Sequence, residues 1–370
     1  MKKNDFIAED DSVLLNTQSQ RASTGQFRCP ACGGTLSFDA QTQKLKCEHC
    51  GTEIAVEVRS DVTERDFEEL HRDHKWDTDV KIIRCENCGA ESVLRKGEVA
   101  TVCAFCGSSS VLEKSEMDCV KPDSVIPFHI TRSEAVKRCL TWLKKRFYAP
   151  KKFKKQVSLD TVHGVYTPVW TFDSTTETHY SGTVGKRYVE TERVNGKEVT
   201  RTKIKWFHVQ GTIQRCFDDV LISGSMQIDD TKLGKLAPFD QANYVLYNDA
   251  FLAGYEASNY NLDPFTAFQR AEAQMKEEIQ RLILQRHDAD VAGTLRLDLR
   301  HIGKSFKYIL FPVYVCTERY KNKVFNQYMN GVHGRITGKI PLSVVKVGLT
   351  VLLALAAIVG IAYLVIKYGD

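Results

Sequence analysis

Eight cysteines stand in four like frames: Cys29-Pro-Ala-Cys32, Cys47-Glu-His-Cys50, Cys85-Glu-Asn-Cys88 and Cys103-Ala-Phe-Cys106. Fourteen residues separate the first frame from the second, and fourteen separate the third from the fourth. Glycine follows each frame at once, at Gly33, Gly51, Gly89 and Gly107. Two intervening residues let both sulfurs of a frame face one metal ion at about 2.3 Å. The glycine permits the positive-φ turn that leads the chain away from the metal. Fourteen residues suffice for strand, turn and strand, a unit too small to fold without the free energy of metal binding. The spacing therefore predicts two zinc ribbons and two zinc ions, one held by Cys29, Cys32, Cys47 and Cys50, the other by Cys85, Cys88, Cys103 and Cys106. Disulfides, a redox pair and a rubredoxin-type iron site are the competing readings, and a redox pair would not need a second matching frame. With four protein ligands each site is closed, leaving no open position for catalysis.

The remaining reactive residues offer less. His49 lies inside a frame, where it could stand in for a cysteine, but the four-cysteine set is the better reading. His71 and His74 have helical spacing without a third ligand and read as exposed polar residues. Cys119, Cys139, Cys216 and Cys316 are isolated and read as core or free thiols. Asp218-Asp219 and Asp229-Asp230 are adjacent acids in expected turns, read as solvated. The segment Gly334-Arg-Ile-Thr-Gly338-Lys339-Ile340 falls short of a phosphate loop, because its glycines are too close and Ile340 replaces the magnesium-binding hydroxyl. HExxH, nucleophile-elbow and dinucleotide motifs are missing, and the chain is read as non-enzymatic.

One basic stretch has chemistry of its own. Residues 143–155, LKKRFYAPKKFKK, carry Lys144, Lys145, Arg146, Lys151, Lys152, Lys154 and Lys155 around Phe147, Tyr148 and Phe153. Cations attract phosphate, and aromatics stack on bases or settle at headgroup level. A solvated helix end with buried aromatics is the bland alternative. Membrane contact is favoured over nucleic acid because residues 347–366, VGLTVLLALAAIVGIAYLVI, form an uncharged run of bilayer length, about 30 Å as a helix. Arg335, Lys339 and Lys346 precede that run and Lys367 follows it, so the positive-inside rule places residues 1–346 in the cytoplasm. The expected location is the inner cell membrane, with one span acting as a tail anchor. Ala356 and Gly360 make a small-xxx-small pair on it. Residues 1–25 are polar, with no apolar core of signal-peptide length, so the thiols are expected to stay reduced.

The elements that must position these residues follow from pattern. Of 370 residues 26% are charged and 43% hydrophobic, an ordinary globular balance. Two sites of four thiolates and one dication would take the formal charge from +5 to +1, so only local patches can attract polyanions. The expected organisation is a flexible leader (1–26), ribbon one (27–52), a linker with a short helix over 63–76 (53–82), ribbon two (83–112), an α+β domain (120–340) and the transmembrane helix. In the α+β domain, apolar spacing predicts a helix over 131–147, and Asp263-Pro264 opens a second main helix to about His287. Antiparallel strands are expected at 165–172, 204–217, 220–228, 293–300, 307–319 and 324–329, with Asn195-Gly196 as a hairpin turn. Tyr166-Thr-Pro168-Val169-Trp170 matches Phe311-Pro312-Val313-Tyr314, each after a helix, with Asn330-Gly331 as counterpart to Asn195-Gly196. A helix-plus-hairpin unit used twice and chance similarity are both open readings.

The tandem ribbons, the Ile126-Pro-Phe128 segment before a helix, WLKKRFYAPKKFKK, YTPVW, LFPVYVCTERYKNK and the single C-terminal span resemble the bacterial TFIIB-type zinc-ribbon membrane proteins, over nearly the whole chain. That family includes a membrane partner encoded beside SPFH-domain and phage-shock-protein-A-like proteins. The resemblance implies a role in envelope stress or membrane organisation with protein partners of those kinds, and carries no catalytic residue across. The expected function is a membrane adaptor that recruits cytosolic proteins; a membrane-tethered nucleic-acid-binding regulator is the alternative.

Overall fold

The structure, a computed structural model, describes residues 27–71, 80–95, 102–109, 111–114, 120–194 and 197–368. The expected leader, His74, Cys119 and the Asn195-Gly196 turn lie outside the described residues. The chain is mixed α+β. Strands β1 (Leu36–Asp39), β2 (Lys44–Cys47) and β3 (Glu53–Ala55) make a small antiparallel sheet. Next come β4 (Arg65–Asp66), a 3-10 turn at Phe67–His71, and β5 (Val80–Cys85), β6 (Glu91–Arg95) and β7 (Val111–Lys114). The body then runs β8 (Ser124–Val125), α1 (Arg132–Lys144), α2 (Lys151–Lys154), β9 (Val162–Val194), β10 (Lys197–Ser223), α3 (Asp230–Leu236), β11 (Val245–Leu246), β12 (Glu256–Ser258) and α4 (Pro264–Arg286). It closes with β13 (Val291–Tyr320), β14 (Lys323–Asn330), β15 (Ile336–Gly338) and α5 (Val344–Tyr368).

The structure refines the expected organisation in two places. Among its described residues, the interval 53–82 carries β3, β4, the start of β5 and a 3-10 turn at Phe67–His71, so it is more than a linker with a helix. There Asp66 accepts the Glu68 N–H at 2.8 Å, the bond of an N-cap. The second ribbon is also no separate sheet, because β6 pairs with β12 and so joins β5, β6 and β7 to the twelve-stranded main sheet.

Strands β9, β10 and β13 are far longer than the segments expected from sequence. Their proximal parts are covered on both faces: Val165, Tyr166, Thr167, Val169, Trp170, Thr171 and Phe172 are all buried. Further along, burial alternates, with Thr176, Thr178 and Tyr180 inside and Thr175 and His179 outside, the signature of a sheet covered on one face. Helix α4 is the cover. Asp263 caps it through the Phe265 and Thr266 N–H groups, Pro264 sits in its first turn, and Ala267, Ala271, Met275, Ile279 and Ile283 form its buried stripe. β13 stops pairing with β9 at Gly185, so residues beyond it leave β9 and β10 as a two-stranded arm. Tyr188, Val189 and Ile204 are exposed on that arm, and Trp206 at its base, opposite Gly185. At roughly 3.3 Å per residue, the 33 residues of β9 have a contour of about 100 Å.

The two proline segments lie side by side in a symmetric register. Pro168 of β9 faces Leu310 of β13, and Pro312 of β13 faces Tyr166 of β9. β8 pairs in parallel with Ile309 and Leu310, while β12 pairs in parallel with Val165 and Tyr166, the equivalent positions. Gly224 donates to the Pro168 carbonyl and Gly331 to the Pro312 carbonyl, both at 2.9 Å. Trp170 Nε1 donates to Leu262 O at 3.0 Å, and Tyr314 Oη donates to Ile130 O at 2.7 Å. A strand–helix–hairpin unit thus recurs, and each copy lends its first strand to the other. The second hairpin turns at Lys321-Asn322, both at positive φ, and not at Asn330-Gly331. Asn330-Gly331 instead corresponds to Ser223-Gly224, where each hairpin returns to its own proline.

Candidate metal centres

Both cysteine sets converge. In each, all four Sγ atoms lie within 4.8 Å of one another. Cys29 and Cys50 are 3.5 Å apart and Cys32 and Cys47 3.6 Å; Cys85 and Cys106 are 3.5 Å apart and Cys88 and Cys103 3.7 Å. A tetrahedron of 2.3 Å metal–sulfur bonds has edges of about 3.8 Å, whereas disulfide sulfurs lie at about 2.05 Å. Local backbone explains the convergence. In every frame the glycine N–H bonds back to the carbonyl of the first cysteine at 2.8–2.9 Å, with the glycine at φ between 65° and 77°. β1 and β2 link the two frames of the first set, as the fourteen-residue gap predicts. His49 is exposed and outside the ligand group.

Protonation follows the same geometry. The Thr52 hydroxyl, 3.0 Å from Cys50, holds that thiol down to about 6, while the Gly34 N–H is outweighed at Cys32 by neighbouring Cys50 and Cys47, which push it up to about 12. In the second set contact with Cys88 brings Cys103 down to about 5, and Cys88 rises in turn. Four close thiols cannot all ionise without a cation among them. The donor sets fit a thiophilic ion, which neutralises that repulsion and leaves the sites closed.

Both centres are built into the body. Phe38 of β1 meets the Phe251 ring edge-on at 5.3 Å, its N–H bonds to Ala253 O, and Gln43 Nε2 bonds to Phe128 O at 2.8 Å. Around the second set, Thr317 and Asn326 side chains donate to the Ala104 and Phe105 carbonyls, each at 2.7 Å.

Sequence reading missed a third cluster. Glu64, Asp173 and Asp218 bring carboxylate oxygens together, and the Lys307 ammonium lies beside two of them. Its Nζ lies 2.8 Å from Asp219, 3.1 Å from Glu64 and 3.9 Å from Asp173. Burial pushes Asp173 up to about 7; burial opposes the charge of Lys307, yet Asp219, Asp173 and Glu64 raise its pKa. Asp219 is therefore not a solvated turn acid. It sits in a bulge of β10, at φ 51°, and ties that bulge to Lys307 of β13. Asp229, by contrast, caps α3. Cys139 and Cys316 are buried and Cys216 is exposed.

The basic segment lies at the foot of α5. Ser343 N–H donates to Tyr148 O at 2.8 Å, and Lys346 Nζ to Phe147 O and Ala149 O at 2.6 and 3.0 Å. Lys144, Lys145, Arg146, Lys151, Lys152 and Lys155 are exposed. Lys154 differs from the expectation: it is half-buried, and its Nζ bonds to Lys144 O at 3.2 Å. Phe153 is a core residue. Helix α5 is long and apolar enough to cross a membrane, and no residue of its apolar stretch Val344–Tyr363 is buried.

No family model matches the chain, and no solved structure matches it. Among curated proteins it is similar to the uncharacterized protein YdjG of Bacillus subtilis (strain 168), 28% identical over 329 residues, which cover 87% of this chain and 91% of that protein.

Proposed function

We propose that this chain is a non-enzymatic, zinc-stabilised membrane adaptor. In this reading α5 is a membrane anchor in the inner membrane, residues 1–346 lie on the cytoplasmic side, and two zinc ions hold the ribbons. The observation that carries it is the arm. The body packs α1 against the start of β9, near the foot of α5, while the same strand ends about 100 Å of contour away in a two-stranded ribbon. Tyr188 and Ile204 are 46% and 39% exposed at the start of that ribbon, which is too thin to bury them itself, and Trp206 is 50% exposed at its base, opposite Gly185. Exposed aromatic side chains at the root of a projecting ribbon suit capture of a protein. The resemblance points to SPFH-domain or phage-shock-protein-A-like proteins as that partner, in envelope stress.

Cross-linked pull-down of the full chain from native membranes tests this. The wild type should recover a protein of one of those two kinds, and Trp206→Ser with Ile204→Ser should lose it while membrane content of the chain is unchanged. Equal recovery by both chains removes the arm from the reading. Recovery of nucleic acid with steep salt dependence, and no protein, transfers the case to the nucleic-acid regulator.

A further inference from the structure

Surface cations in this protein are commonly paired. Lys44 lies by Glu53, Arg138 by Glu134, Lys186 by Asp288, Lys276 by Glu272 and Arg281 by Glu278. The corner between α1 and α2 is different. Six exposed cations crowd into residues 144–155, and among the described residues none has a carboxylate partner. The segment contains no acid. Helix capping accounts for part of it, since Lys144 stands in the last turn of α1, where a cation is favoured. It does not account for Lys151 and Lys152, which lie in the single turn of α2. Like charges held this close repel one another unless an external anion lies against them.

Position supplies the anion. The first turn of α5 is tied to this corner by the Ser343 bond to Tyr148 and by Lys346, whose ammonium is taken up by the Phe147 and Ala149 carbonyls and lies 5.1 Å from the Phe147 ring centre. Lys346 is thus a strut between corner and helix. The rings beside it stay outside the core: Phe147 is 63% exposed and Tyr148 38%, packed edge to face at 5.3 Å. Exposed aromatics one turn from an apolar span belong at headgroup depth.

We propose that the α1–α2 corner is a binding foot for anionic phospholipid headgroups, with Lys144, Lys145, Lys151 and Lys152 as the phosphate contacts and Phe147 and Tyr148 seated at the interface. The proposal rests on α5 spanning the membrane. Its consequence is orientation: with the strut rigid and the foot on the lipid, the body stands at a fixed attitude instead of swinging from its anchor.

The test uses the full chain purified in neutral detergent, exposed to equal amounts of phosphatidylglycerol and phosphatidylcholine, repurified, and assayed for retained lipid by native mass spectrometry. Wild type should retain phosphatidylglycerol over phosphatidylcholine, and the variant K144E/K145E/K151E/K152E should lose that preference by roughly tenfold or more. Raised salt should weaken it as well. A charge-matched reversal on the arm, R187E/R193E/R201E/K205E, should leave it intact. Two metal ions per chain and an unchanged melting temperature show that the variants are folded. Equal retention of both lipids by a chain that stays in the membrane fraction overturns the foot and spares the anchor. Release of the chain by alkaline carbonate without detergent overturns the anchor, and the foot with it. Displacement of phosphatidylglycerol by inorganic phosphate, or an oligonucleotide preference lost in the same variant, also overturns the lipid assignment.

Discussion

Cys32 is an exposed member of the first sulfur set, facing Cys47 at 3.6 Å. Replacing it leaves three thiolates and an open coordination position, and a ribbon this small depends on metal for its folding free energy. Cys32→Ser should therefore lower zinc from two ions per chain to one by elemental analysis, with the second ribbon still loaded. Iron at stoichiometric level in the wild type would reject zinc. A different residue tests burial. Glu318 is 2% exposed, and burial raises its carboxyl from the ordinary 4.5 to about 7. The folded state then holds that proton more tightly than the unfolded chain, so stability falls as pH rises from about 4.5 to 7 and stays lowered above. Glu318→Gln removes the ionisation and should stabilise the protein by about 3 kcal/mol near pH 8 and hardly at all near pH 4. A thermal-melt difference independent of pH would refute this. Cysteine ligands are legible in a sequence because their geometry is set within a four-residue turn. Glu318 and Lys307 are not, because their partners arrive from strands far away in the chain.

Helix α1 shows what pattern reading can do: Thr131 caps it and Cys139 and Leu143 face the core, as the apolar spacing implies. Strand lengths were illegible for a physical reason. Bulges at Phe217/Val220 and His301/Lys304 look like strand ends in sequence, yet the ladder resumes beyond each. The same blindness put the second hairpin turn at Asn330-Gly331. Gly331 is there because a Cβ would come within 2.5 Å of Phe128 and 3.0 Å of Pro312. Its equivalent, Gly224, is looser, with its nearest neighbours at 3.2 Å. Gly331→Ala should cost about 2–3 kcal/mol and Gly224→Ala about 1 kcal/mol or less, measured by urea unfolding of the solubilised chain. Equal costs would show that the two returns are not packed as the structure has them.

At the scale of the molecule, charge is distributed unevenly about α5. The body side of the helix carries the six exposed cations of the α1–α2 corner and Lys346, whereas Lys367 follows its apolar stretch. Sequence counting found three cations ahead of the span; the fold adds the corner, because hydrogen bonds from Ser343 and Lys346 bring residues 144–155 beside the first turn of α5 although they lie about two hundred positions earlier. Translocating that cluster would oppose the membrane potential, at about 2.3 kcal/mol per charge for each 100 mV. The proposed orientation, with the body in the cytoplasm, therefore follows more strongly from the folded surface than from the flanking residues alone. The cytoplasm also keeps thiols reduced, as both four-cysteine centres require. Protease added to intact spheroplasts should leave the ribbons and the β9–β10 arm uncut, and should cut them once the membrane is opened. The exposed arm, with Lys186, Arg187, Arg193, Arg201 and Lys205 at its surface, is the sensitive reporter because it offers trypsin sites wherever the body is accessible. Cleavage of the arm in intact spheroplasts would reverse the orientation and, with it, the case for a cytosolic partner.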